Sequence, residues 1–93
     1  MIKNATAIYT GGNIYIIYGE LTDGNYFLTS NDWESTLVLD ESPEDLDVSL
    51  YEDWQTEHTV KQVLYEESEN LYQEAVDWVK KNLPDGNYDP DEL

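Results

Sequence analysis

The chain has 93 residues, no Cys, and 21 Asp and Glu against four Lys and no Arg, for a formal charge of −17 at pH 7. These numbers exclude disulfides, thiolate metal sites and thiol nucleophiles. A chain this anionic repels nucleic acid and anionic membranes and attracts basic protein surfaces.

The length is that of one domain with a thin core. Eight Tyr, three Trp and one Phe supply much of that core's apolar mass, a content foreign to disordered chains. The opening Met1-Ile2-Lys3-Asn4 lacks the apolar stretch of a secretory leader, and the longest apolar run, Ile14 to Tyr18, is strand-length. A cytoplasmic location is the expectation.

In chain order, Ala5 to Thr10 reads as a first strand, closed by Gly11-Gly12, a pair suited to the positive φ angles of a tight hairpin. Asn13 to Glu20 is the strongest strand. Ile14, Ile16 and Tyr18 lie on one face and Tyr15 and Ile17 on the other, as in a central strand covered on both sides. Thr22-Asp23-Gly24-Asn25 is a turn. Tyr26 to Ser30 and Thr36 to Asp40 make a third and a fourth strand, and short loops between consecutive strands predict a meander.

The composition then changes. Met1 to Asn31 carries two acids and one base, whereas Asp32 to Glu57 carries ten acids and no base. Ser42-Pro43-Glu44-Asp45 has the form of a helix start, so residues 41–65 read as an acidic connector with short helical turns. From Glu66 to Leu83, the residues Leu71, Tyr72, Ala75, Val76, Val79 and Leu83 recur at three- and four-residue steps, an apolar stripe on an amphipathic helix. Glu66, Glu67 and Glu69 near its start and Lys80-Lys81 near its end suit the helix dipole. Pro84 stops it, and residues 84–93 read as a loosely held tail.

The expected fold is α+β: a four-stranded antiparallel meander, the acidic connector, and one long C-terminal helix whose stripe packs on the sheet. The opposite sheet face carries Tyr and is expected to stay partly open.

Chemistry is sparse. His58 is the single histidine, and no nucleophile or orienting acid stands at a catalytic spacing from it. Asp85-Gly86-Asn87-Tyr88-Asp89 opens like a calcium loop. It then places Pro90 where Gly is required and ends before a twelfth-position Glu. No phosphate loop or basic groove is present. Neither a catalytic residue nor a cofactor nor a metal site is expected.

What stands out is the acidic middle with its aromatics. Tyr and Trp anchor interfaces, and charge steers a complementary partner. Asp40, Glu41, Glu44, Asp45, Asp47, Tyr51, Glu52, Asp53, Trp54 and Glu57 are the candidate partner-binding residues. A second acidic row, Glu66, Glu67, Glu69, Glu74 and Asp77, runs along the helix. Rows of carboxylates are able to imitate DNA phosphates before a nucleic-acid-binding protein. A different reading gives binding to an aromatic sheet face made of Tyr9, Tyr15, Tyr18 and Tyr26, with charge serving solubility only.

Several stretches carry a resemblance: Tyr9-Thr10-Gly11-Gly12-Asn13-Ile14-Tyr15, Gly19-Glu20-Leu21, Asp23-Gly24-Asn25-Tyr26-Phe27, Trp54-Gln55-Thr56-Glu57-His58 and Asn82-Leu83-Pro84. Together they resemble small acidic proteins of phages and mobile elements of gut Firmicutes. The resemblance implies an accessory role in the host cytoplasm: inhibition of a basic, nucleic-acid-binding defence protein, in the manner of anti-CRISPR and anti-restriction proteins.

Overall fold

The structure is a computed structural model that describes residues 1–33, 35–43 and 59–93. Five antiparallel strands form one sheet in sequence order: β1 (Ile2–Gly11), β2 (Ile14–Leu21), β3 (Tyr26–Ser30), β4 (Ser35–Leu39) and β5 (Thr59–Leu64). Among the described residues one helix, α1 (Tyr65–Asn82), packs on it, and a 3-10 turn (Pro90–Glu92) follows. The fold is thus α+β as expected, with one correction. The sheet has five strands rather than four.

The fifth strand falls at the end of the expected connector. Ser35 pairs with Leu64, Thr36 with Val63, Leu37 with Gln62 and Val38 with Lys61, but Leu39 pairs with Thr59. Val60 is therefore an extra residue, a bulge that breaks the alternation by which strands are recognised. Only Val63 of this strand is buried. A short, bulged edge strand with an exposed Lys61 is also poorly suited to pairing with another chain.

The turns follow local chemistry. Gly11, Gly12 and Asn13 all take positive φ, at 99°, 59° and 62°, which Gly tolerates freely and Asn better than most. The Asp23 carboxylate accepts from the Asn25 amide at 3.0 Å. Asn31, in the turn after β3, ties two hairpins together. Its side-chain oxygen accepts from the Tyr15 amide at 3.0 Å, and its nitrogen donates to the Asn13 carbonyl at 2.7 Å.

Alternation along the strands makes two apolar layers. Ala5, Ala7, Ile17, Leu21, Phe27, Val38 and Val63 face α1 and meet Ala75, Val76 and Val79. Gly19 lies on the same face, and a Cβ there would sit 2.0 Å from the Asn4 carbonyl oxygen. Ile16, Leu28, Leu37 and Leu39 form the opposite layer, flanked by Tyr18, Tyr26 and Trp33. That second face is not open at its centre, since Leu39 is fully buried.

Leu71, Tyr72, Ala75, Val76 and Val79 lie on the packed stripe of α1, but Leu83 does not. Leu83 takes the left-handed C-cap conformation (φ 48°, ψ 55°), donates its amide to the Val79 carbonyl at 2.8 Å, and is 60% exposed. The helix also begins without a linker. Leu64 ends β5 in extended geometry, and Tyr65 reverses the chain at φ 53°.

The tail is docked along β1 rather than loosely held. The Tyr9 amide donates to the Asn87 carbonyl at 2.6 Å, and the Thr6 hydroxyl donates to the Asp85 carbonyl at 2.7 Å. Tyr88 and Leu93 pack against the helix-side layer. Part of the β1 edge is thereby covered, which removes free backbone groups from an exposed strand.

Candidate interaction surface

Of the candidate partner-binding residues, the structure describes Asp40 and Glu41. Both are exposed and follow directly on the last residue of β4. Glu44, Asp45, Asp47, Tyr51, Glu52, Asp53, Trp54 and Glu57 lie outside the described residues, as does His58.

The described acids are nearly all at the surface. Glu20 is half-buried and its Oε2 accepts from the Lys3 ammonium, Nζ to Oε2 at 3.5 Å. Asp23, Asp32, Asp40, Glu41, Glu66, Glu67, Glu69, Glu74, Asp77, Asp85, Asp89, Asp91 and Glu92 are all exposed. Burial of Ser68, Ala75, Val76 and Val79 on α1 leaves its acids on the exposed sides of the helix.

The acids of α1 are arranged by helix geometry. Glu66 to Asp77 is eleven helical steps, about 16 Å of axis at 1.5 Å per residue. At 100° per residue the five carboxylates fan over about 160° of the helix circumference. Glu66 and Asp77 point most directly outward. Glu67 and Glu74 rim a groove beside Val60, Lys61 and Asn70, and Glu69 rims a second groove on the other flank. Glu74 Oε1 also accepts the Ile2 amide at 3.0 Å, and Asp77 Oδ1 accepts from Gln73 at 2.9 Å. One DNA strand places a phosphate every 3.4 Å or so, hence about five over the same axial length.

The calcium-like segment has another use. The Asp85 and Asn87 carbonyls accept from β1, and the Asp89 side chain caps the 3-10 turn by accepting the Asp91 amide at 3.0 Å. Among the described residues, no group of three His, Asp or Glu is gathered in a way that would hold a metal ion. No helix among them is long and apolar enough to cross a membrane.

The four Tyr of the sheet do not share a face. Tyr9 pairs with Tyr15 across β1 and β2, their ring centroids 5.0 Å apart, on the side that carries Ala7 and Ile17. Tyr18 and Tyr26 lie on the opposite layer with Leu28 and Leu39. Three residues separate Tyr15 from Tyr18 in a regular strand, and an odd step changes face. Tyr15 is moreover buried, its hydroxyl donating to Glu92 Oε2 at 2.5 Å.

One feature of this surface lay beyond sequence reasoning. A groove of about 610 Å3 opens between the turn after β3 and the first half of α1. Trp33, Tyr65, Tyr72 and Glu69 line it, together with Ser30, Asn31, Ser68 and Gln73. Its aromatics come from segments far apart in the chain, so no local spacing announces it.

Comparison with family models, with curated proteins and with solved structures returns no match. The fold and the charge map therefore carry the functional reading by themselves.

Proposed function

We propose that this protein binds the basic surface of a nucleic-acid-binding protein and blocks it by presenting carboxylates where the nucleic acid would present phosphates. The supporting observation is the display of thirteen exposed carboxylates on the described surface of a chain with net charge −17. Five of them stand on one helix at the linear density of a single DNA strand. Asp40, Glu41, Glu44, Asp45, Asp47, Tyr51, Glu52, Asp53, Trp54 and Glu57 remain the proposed partner-binding segment, with the α1 acids as a second row. In this reading the protein is an accessory inhibitor and has no catalytic residue.

Binding of this kind is steered by charge and weakens steeply with salt. The test is capture of basic proteins from a lysate at rising ionic strength, followed by competition with duplex DNA for the captured protein. Displacement by DNA and loss of capture at high salt are expected. Substituting Glu44, Asp45, Asp47 and Asp53 by Gln or Asn is expected to weaken capture strongly. Capture that ignores both salt and those substitutions overturns the reading.

A further inference from the structure

We propose that the groove bounded by Trp33, Tyr65, Tyr72 and Glu69 is an anchor site for a cationic side chain, a guanidinium or ammonium, of the basic partner. The inference deepens the proposed function and rests on that reading for the identity of the occupant. The groove itself rests on its own observations.

Three of its eight described lining residues are aromatic, and the charged one is a carboxylate. No basic residue lines it among those described. Its other polar groups are already engaged. Ser30 accepts the Asp32 amide, Asn31 bridges to Tyr15 and Asn13, Ser68 bonds to Thr36, and Gln73 donates to Asp77. Glu69 has no hydrogen-bond or ion-pair partner among the described residues, and its carboxylate is exposed at the rim. Aromatic faces beside an unengaged carboxylate form an environment that recognises organic cations, by ring quadrupole and by charge together. A volume of about 610 Å3 exceeds what one such side chain needs.

Tyr65 supplies the second argument. It is 76% exposed, so it adds little to the core. It nevertheless occupies a left-handed conformation, φ 53°, where Gly or Asn would be less strained. A large aromatic ring kept in that position, at the mouth of a groove, is placed for contact with something outside the chain. Tyr72 and Trp33, both half-buried, line the same groove.

The experiment titrates the full-length protein with a hexa-arginine peptide and with ethylguanidinium, following amide shifts of groove residues by NMR. Both probes are expected to shift Trp33, Glu69 and Tyr72 signals saturably. Tyr65→Leu and Glu69→Gln are each expected to weaken the peptide about five- to tenfold. Tyr65→Phe retains the ring and is expected to bind as the parent does. Glu67→Gln removes the same charge from the same helix but rims the other groove, so it is expected to change affinity less than twofold. If Glu67→Gln costs as much as Glu69→Gln, and Tyr65→Leu costs nothing, only diffuse charge is at work and the anchor site is wrong. Saturable guanidinium binding in the groove without capture of any basic protein would overturn the partner reading and leave the cation site standing. Circular dichroism of each variant separates lost binding from lost folding.

Discussion

Thr36 Oγ1 on β4 lies 2.8 Å from Ser68 Oγ on α1, with both side chains buried. Thr29 Oγ1 on β3 lies 2.8 Å from the same Thr36 oxygen. Two strands and the helix are thus joined by a chain of three hydroxyls within an otherwise apolar layer. A buried hydroxyl that loses its partner costs about 1–3 kcal/mol, whereas apolar replacement of a whole set is nearly neutral. Thr36→Val, which strands both neighbours, is expected to destabilise the fold by about 2 kcal/mol. The triple variant Thr29→Val, Thr36→Val, Ser68→Ala is expected to recover most of that loss. Urea midpoints of the two variants decide the matter, and a triple variant less stable than the single one refutes the argument.

Alkaline pH is expected to loosen the docked tail. The Tyr15 hydroxyl is pushed up to about 12 by its hydrogen bond to Glu92, then by burial and by the negative charges of Glu92 and Asp89. The unfolded chain titrates near pH 10, so above that pH it sheds the proton while the folded state holds it. Stability linked to Tyr15 is therefore complete below pH 10 and is lost as pH rises toward about 12. Tyr72, raised by burial, and Tyr88, raised by burial and by Asp85, act in the same sense. Tyr15→Phe is expected to flatten the fall of the urea midpoint between pH 10 and 12. An unaltered slope would show that the Tyr15 contact contributes nothing to it.

Gly19 is the position least tolerant of a methyl group. The added Cβ would stand 2.0 Å from the Asn4 carbonyl oxygen and 2.8 Å from Ala5 Cα, both backbone atoms. Separating β1 from β2 is the available relief, and overpacking of this kind costs about 1–3 kcal/mol or more. Gly19→Ala is expected to reach the upper end of that range in thermal unfolding. Gly86→Ala, 2.7 Å from the Ala7 carbonyl oxygen, is expected instead to undock the tail first, seen as faster amide exchange at Tyr9.

Leu83→Gly is expected to stabilise the protein. Leu83 closes α1 in the left-handed region, with its side chain exposed and little packing to lose. A non-glycine residue there costs about 1 kcal/mol relative to Gly. A rise of a few degrees in Tm is the expected result, and a fall would mean that the Leu83 side chain contributes contacts worth more than the strain.

Much of this architecture is local and was legible in residue order. Gly11-Gly12 and Asp23-Gly24 mark turns because their backbones must take positive φ. The alternation of Ile14 to Tyr18 marks a strand with two faces. The stripe from Leu71 to Val79, with acids before it and Lys80-Lys81 after it, marks an amphipathic helix. Net charge is a property of composition, and the scarcity of acids before Asp32 one of residue order.

Other features exist only because distant segments meet. The fifth strand carries Lys61 and Gln62, and its bulge at Val60 spoils the period of two; β4 makes it a strand by pairing Ser35 with Leu64. The tail is ordered by contacts such as Tyr15 to Glu92, 77 positions apart. The same holds for the groove that joins Trp33 to Tyr65 and Tyr72. Period and turn chemistry report the conformation of a few neighbouring residues, whereas register, docking and shared cavities depend on which faces the collapsed chain brings together. The charge was written in the composition; the place where a cation meets aromatic rings was decided by the packing of α1 against the sheet.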